Sequence, residues 1–186
     1  AIAEEPILTA VLYDTNQYAG GTGTILTQEG AEINNWKFNT SKYLQIDPTV
    51  PADGSTYIVT VKLPQEFYIV GSEIVTPTGY KSVEFTKNED IAVNTNSTYK
   101  VNNFSGTAIY TMNSMGVSGT IQLEIRYDAI LWDKQQGSIL TPENVEPISI
   151  TLSKVDNSET TELKKVSVKK ATAGVKTTYS GNTGLS

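Results

Sequence analysis

The amino-acid sequence predicts an all-β protein built from antiparallel sheets. Residues 117–127 alternate apolar and polar side chains, which is the two-residue period of a strand with one buried face. The same rhythm recurs along most of the chain, and no segment has the apolar spacing of a helix. Clusters of Gly, Pro and Asn separate the alternating runs at fairly even intervals. Many short strands punctuated in this way are typical of a β-sandwich or a β-barrel.

The candidate strands are short runs rich in β-branched and aromatic residues, bounded by turn residues. In chain order they are Ile7–Tyr13, Gly23–Thr27, Tyr43–Ile46, Thr56–Leu63, Glu66–Val70, Tyr80–Thr86, Tyr99–Val101, Thr107–Met112, Val117–Tyr127 and Ile148–Leu152. The fourth is the clearest inner strand, because Tyr57, Val59 and Val61 share one face. Pro64 has no backbone N–H to donate, so we expect this strand to end or bend there. In the ninth strand, Leu123 lies on the face that we expect to be buried.

The composition removes most catalytic chemistry from consideration. The 186 residues include 0 Cys and 0 His, which excludes a Ser-His-Asp triad, a thiol nucleophile and a zinc site of Cys and His ligands. Carboxylates remain, either as the acid pair of a glycoside hydrolase or as ligands of a hard cation such as Ca²⁺. We expect no enzymatic activity and no obligatory cofactor. The net charge of -6 and the single arginine, Arg126, argue against a nucleic-acid partner.

A shift in charge suggests a domain boundary. Residues 154–186 contain six lysines against Asp156, Glu159 and Glu162, which gives +3, so the first 153 residues sum to -9 within the total of -6. The sequence therefore predicts a sandwich over residues 1–153. Residues 154–186 are then a linker or the first strand of a following module, and a disordered tail is the alternative.

The residue usage also indicates a habitat. Thr, Ser, Asn, Gly and Tyr are abundant, Cys is absent and Lys is preferred to Arg. A domain of about 150 residues buries about 70% of its unfolded surface, so it can be stable outside the cell without disulfides. We expect an extracellular protein of a Gram-positive cell surface or cell wall, with an intracellular or phage structural protein as the alternative. No apolar run approaches the ~20 residues of a membrane-spanning helix.

One stretch of the sequence resembles a known type of domain. Residues 56–67 read Thr-Tyr-Ile-Val-Thr-Val-Lys-Leu-Pro-Gln-Glu-Phe and end in a Leu-Pro-x-x-Phe step. This run resembles a strand of the Ig-like adhesin domains of Gram-positive surface proteins. The resemblance extends over about residues 5–153 in strand order, and it implies an antiparallel β-sandwich of Ig-like, Greek-key type. It also implies a non-catalytic module that serves adhesion or spaces a binding domain from the cell wall, with a protein or glycan of a host or neighbouring cell as partner.

A second stretch resembles a box of pilin-type Ig-like domains. Residues 68–80 are similar to the pattern Tyr-x-Leu-x-Glu-Thr-x-Ala-Pro-x-Gly-Tyr, whose Glu promotes an isopeptide cross-link between Lys and Asn. The resemblance makes Glu73 the isopeptide candidate. The spacing agrees from Glu73 to Tyr80, but Tyr68 lies one residue too far upstream, and Ile74 and Thr76 replace the Thr and Ala. The alternative is a plain strand followed by a Pro/Gly turn.

Two further candidate sites come from side-chain chemistry. Trp36 has Asn and Lys neighbours, so an exposed indole could stack on a sugar and make the chain a glycan-binding module. The alternative is that Trp36 and Phe38 both point into the core. Asp90, Asn94 and Asn96 offer oxygen ligands for Ca²⁺ without the spacing of an EF-hand loop, and a solvated turn is the alternative.

Overall fold

The structure, a computed structural model, describes most of the predicted strands. It covers residues 5–15, 22–31, 36, 40–63, 67–75, 80–87, 94–95, 101–102, 106–112, 119–127 and 148–168. Within these ranges the strands are β1 (Ile7–Tyr13), β2 (Gly23–Ile25), β3 (Thr40–Thr49), β4 (Thr56–Lys62), β5 (Phe67–Val75), β6 (Tyr80–Lys87), β7 (Asn94–Thr95), β8 (Val101–Asn102), β9 (Gly106–Met112), β10 (Thr120–Tyr127), β11 (Ile148–Asp156) and β12 (Glu159–Val168). The described residues form no helix, and therefore none that is long and apolar enough to cross a membrane.

The strands form two antiparallel sheets of five strands each. The first sheet has the order β2-β1-β3-β10-β5 and the second has the order β12-β11-β4-β9-β6, while β7 and β8 pair as a separate ribbon. Both sheets bury their inner faces in one common apolar core. The predicted all-β antiparallel sandwich is therefore confirmed.

Strand β10 shows how the sequence specifies the core. Its even-numbered residues are half-buried, whereas Ile121, Leu123, Ile125 and Tyr127 are buried, as the alternation predicts. Strand β4 behaves in the same way, with Tyr57, Val59 and Val61 in the core.

A buried hydrogen bond joins the two sheets across the core. The hydroxyl groups of Tyr110 on β9 and Ser72 on β5 lie 2.9 Å apart. Each group satisfies the hydrogen-bonding capacity of the other in a region from which water is excluded. Burial raises the pKa of Tyr110 well above its usual value, so this hydroxyl stays protonated and neutral.

Strand β3 is longer than the predicted run Tyr43–Ile46, because it continues through Asp47 and Pro48. These two residue types usually end a strand. Pro48 is tolerated because it pairs with Leu8 of β1 on one side, whereas the register with β10 extends only to Ile46 on the other. The missing N–H of Pro48 therefore removes no ladder bond to β10.

The second sheet also extends beyond the predicted boundary at residue 153. Residue 153 lies inside β11, which continues to Asp156 and turns through Asn157 and Ser158 into β12. Strand β12 pairs with β11 along its length, and its Val166 and Val168 are buried in the core. Residues 154–168 are thus part of the sandwich. A register shift after Leu152 and a mostly exposed first half of β12 hide this strand from a simple alternation pattern. Residues 169–186 lie outside the described residues.

The depth of Leu123 generates a test of the fold. Because its side chain is fully buried, we expect Leu123→Ala to lower the free energy of unfolding by about 2 to 5 kcal/mol. The neighbouring Gln122 faces outward, so Gln122→Ala is the matched control and should stay within ~0.5 kcal/mol. Urea unfolding measures both changes. Equal effects of the two substitutions would contradict the assigned faces.

Candidate functional site

The outer face of the first sheet carries a row of five residues, one on each strand, in which two tyrosines and a glutamate lie between two glycines. Tyr13 on β1 lies opposite Tyr43 on β3, and Tyr43 lies opposite Glu124 on β10. Glycines end the row on both edge strands, with Gly23 opposite Tyr13 and Gly71 opposite Glu124. We call these five residues the tyrosine row. Both tyrosines are half-buried, so part of each ring remains accessible.

The glycine at one end of this row fixes the position of the tyrosine beside it. A Cβ atom at position 23 would lie 2.6 Å from Cγ1 of Val11 and 2.8 Å from Cε1 of Tyr13. The Tyr13 ring therefore lies against the bare backbone of Gly23, an arrangement known from edge glycines covered by a cross-strand aromatic. At the other end, a Cβ at Gly71 would meet no atom within 4 Å, so the surface is open there.

The carboxylate of Asp47 is held by two side-chain hydrogen bonds on the same outer face, four residues along β3 from Tyr43. Its Oδ1 accepts a hydrogen bond of 2.5 Å from the Thr120 hydroxyl, and its Oδ2 accepts one of 3.1 Å from Nε2 of Gln45. One oxygen of Asp47 is thus tied to the neighbouring strand β10, and the other is tied to Gln45 on its own strand, β3. This arrangement orients Gln45 and stiffens the outer surface rather than leaving a free acid.

The ionic environment keeps Tyr43 neutral. Burial raises the pKa of Tyr43, the charge of Glu124 raises it further, and Arg126 acts in the opposite direction. The Ser41 hydroxyl donates a hydrogen bond of 2.7 Å to Oε2 of Glu124, which holds that carboxylate on the outer face. Tyr43 therefore remains a hydroxyl donor throughout the physiological pH range.

Trp36 lies in the core, not on the surface. Only 3% of its surface is exposed, and its ring centroid is 4.9 Å from that of Phe67 and 6.2 Å from that of Tyr127. The indole N–H donates a hydrogen bond of 3.0 Å to the carbonyl of Thr40. Trp36 thus lacks the exposed ring face that stacking on a sugar requires. Its indole ring instead packs against Phe67 and Tyr127 in the core. Phe38 lies outside the described residues.

A buried lysine lies beside Trp36, and it is not among the residues predicted from the sequence. Lys42 is 6% exposed, and its Nζ lies 2.5 Å from Oδ1 of Asp14 and 5.9 Å from the centroid of the Trp36 ring. Asp14 and the indole thus offset the cost of burying the ammonium group. The signal was present in the sequence, because Lys42 is in phase with the core residues Leu44 and Ile46.

Glu73 lies on the exposed side of β5, opposite Gln122. Among the described residues, no hydrogen bond or ion pair joins Glu73 to a lysine or an asparagine. Its assignment as the promoter of an isopeptide bond stays a prediction.

The candidate cation site falls largely outside the described part of the chain. Asp90 and Asn96 are not among the described residues, and only the backbone of Asn94 is described, as the first residue of β7. Across the ranges that the structure covers, no three His, Cys, Asp or Glu residues are grouped so as to hold a metal ion. The Ca²⁺ site stays a prediction.

Solved structures to which the chain is similar include pilins and an antigen I/II-family domain. A variant of BcpA, the major pilin subunit of Bacillus cereus, is 14% identical with a TM-score of 0.45, and the alignment covers 90% of this chain and 41% of that one. The C-terminal domain of the antigen I/II-family protein AspA of Streptococcus pyogenes is 10% identical with a TM-score of 0.42, covering 88% and 46%. The full-length major pilin SpaD of Corynebacterium diphtheriae is 9% identical with a TM-score of 0.39, covering 88% and 35%. This chain thus spans less than half the length of each. The sequence matches no family model and no curated protein.

The contact between Lys42 and Asp14 can be tested with a double-mutant cycle. Asp14→Ala leaves the buried ammonium without its carboxylate partner, so we expect a loss of about 1 to 3 kcal/mol in the free energy of unfolding. In the background Lys42→Met, which keeps the length of the side chain without its charge, the same substitution should cost less than ~0.5 kcal/mol. Equal costs of Asp14→Ala in both backgrounds would contradict the coupling.

The isopeptide hypothesis for Glu73 can be tested by intact mass. An amide between Lys and Asn releases one ammonia, so its formation lowers the mass of the chain by that amount. Since Glu73 is exposed on β5, we expect Glu73→Ala to change the mass only by the substitution itself, as in the matched control Glu84→Ala. A deficit of one ammonia that is lost in Glu73→Ala and kept in Glu84→Ala would overturn this expectation.

Proposed function

We propose that this chain is a non-catalytic extracellular module of a Gram-positive cell surface, which serves adhesion or spaces a binding domain from the cell wall. The observation that carries the proposal is the tyrosine row on the outer face of the first sheet. The sequence adds two supports, namely its lack of His and Cys and its resemblance to Ig-like adhesin domains over residues 56–67.

The row offers a contact surface that needs little reorganisation before binding. Its side chains project from strands, and strands hold side chains more firmly than loops do. Tyrosine supplies a large amphipathic contact area at a low cost in conformational entropy. The hydrogen bonds of Asp47 and of Glu124 to neighbouring strands stiffen the surrounding surface. A partner therefore meets a surface that is largely preorganised.

The partner in this proposal is a protein or glycan on the surface of a host or neighbouring cell. With Trp36 buried, Tyr13 and Tyr43 are the aromatic residues of the tyrosine row through which a glycan-binding module would act. Gln45 and Gln122 lie beside each other across β3 and β10, in the row next to these tyrosines. Amide groups next to aromatic rings suit the hydroxyl groups and apolar ring faces of sugars.

Binding assays with matched variants test this proposal. The unmodified chain is applied to a glycan array and to immobilised host and bacterial cells, alongside Tyr13→Ala and Tyr43→Ala. We expect each substitution to weaken binding about tenfold, equivalent to 1.4 kcal/mol. The control is Ile7→Ala, because Ile7 is 50% exposed on the same face of β1 but about 20 Å from Tyr13 along the strand.

The outcomes separate the alternatives. If the tyrosine variants lose binding to isolated glycans, the glycan-binding module is favoured. If they lose binding only to cells, a protein partner is favoured. Binding that is unchanged in both tyrosine variants would contradict a role for the tyrosine row. Turnover of a polysaccharide would instead favour the carboxylate-dependent glycoside hydrolase.

A further inference from the structure

The outer face of the second sheet is chemically unlike that of the first. Its three central strands, β11, β4 and β9, present small hydroxyl and β-branched side chains to the outside. These outward residues are Ser149, Thr151, Ile58, Thr60, Lys62, Thr107, Ile109 and Thr111. Lys62, at the end of β4, is the one charged residue among them. Depletion of charge is the compositional mark of the centre of a protein–protein interface.

These side chains are also suited to association by their stiffness. Thr and Ile are branched at Cβ and have restricted χ1 rotamers. They consequently lose little side-chain entropy when a partner covers them. We call these eight residues the hydroxyl face.

A single row across this sheet carries opposite charges at its two ends. Lys165 on β12 lies opposite Thr151, and Thr151 lies opposite Thr60 at the centre of the sheet. Thr60 lies opposite Ile109, and Ile109 lies opposite Glu84 on β6. Both Lys165 and Glu84 are exposed. The row is therefore basic at one edge, uncharged in the middle and acidic at the other edge.

This pattern is complementary to itself under one symmetry operation. When two copies are placed face to face about a twofold axis parallel to β4, the β12 edge of one copy meets the β6 edge of the other. Lys165 then faces the second copy's Glu84, and Thr60 faces Thr60 on the axis. A twofold axis perpendicular to the strands would instead bring Glu84 against Glu84, which is repulsive. We propose that the hydroxyl face binds a second copy of this chain as an isologous dimer with strands aligned.

The size of the whole outer surface of the second sheet, from the β12 edge to the β6 edge, predicts a weak association. Five strands at about 4.8 Å spacing and seven residues at about 3.3 Å give about 550 Å² for each copy, or about 1,100 Å² in total. This area lies just above the ~1,000 Å² that a specific interface needs. Lys62 also opposes the association. It lies on β4 near the axis, so its ammonium group would approach that of Lys62 in the second copy. As the last residue of its strand it is exposed, so its long side chain can extend past the rim.

The dimer can be tested by sedimentation equilibrium of the full chain over micromolar to millimolar concentrations. We expect Thr60→Lys to abolish dimerisation, because it places two ammonium groups on the axis. Gln45→Lys is the matched control, since it makes the same kind of change on the outer face of the first sheet and should leave the dimer intact. Circular dichroism and urea unfolding confirm that both variants are folded.

A charge-reversal series tests the orientation separately. We expect Lys165→Glu and Glu84→Lys each to weaken dimerisation about tenfold, and the double variant to restore it, because the pair is then reversed but still complementary. Lys62→Gln should strengthen the dimer by removing the repulsion near the axis. A chain that is monomeric at millimolar concentration would overturn the proposal, as would a dimer that Thr60→Lys leaves unchanged. A dimer weakened by both single reversals and not restored by the double variant would overturn the orientation.

Discussion

The phase of the two-residue alternation is the constraint on which the rest of this structure depends. In β3 it places Leu44 and Ile46 in the core, and Tyr43 and Gln45 on the outer face. A slip of one residue would exchange these two sets. Pairing of β3 with β1 on one side and with β10 on the other opposes such a slip. The tyrosine row follows from this choice of phase, and the hydroxyl face follows from the corresponding alternation in the second sheet.

Specific contacts at the ends and in the middle of the core reinforce that phase. Trp36 fills one end against Phe67 and Tyr127, and its indole is tied to the backbone at Thr40. The hydrogen bond between Tyr110 and Ser72 joins the sheets from within. A buried polar pair of this kind is satisfied in one arrangement and costly in others, so it favours a single packing of the two sheets.

Local pattern was sufficient to predict the strands that alternate strictly, and insufficient where long-range pairing decides the outcome. The burial of Leu123 and Val59 could be predicted because each lies within an uninterrupted alternating run. The position of Trp36 could not, because its neighbours in sequence are polar while the rings that cover it come from β5 and β10. A strand after residue 153 could be predicted, but its place in this sandwich could not, since the inclusion of β12 depends on pairing with β11 and on the bonds between Ser167 and the backbone at Thr27 and Ala31. The tyrosine row likewise exists only through register, because its members come from five different strands.

The absence of cysteine from the natural sequence makes a direct measurement of this phase possible. Each single-cysteine variant of β3 carries one thiol, whose rate of alkylation in the folded state reports its accessibility. We expect rapid labelling of Tyr43→Cys and Gln45→Cys under native conditions, and labelling of Leu44→Cys and Ile46→Cys only after denaturant is added. Equal native rates at all four positions, or rapid labelling of the even-numbered pair, would contradict the assignment of the two faces.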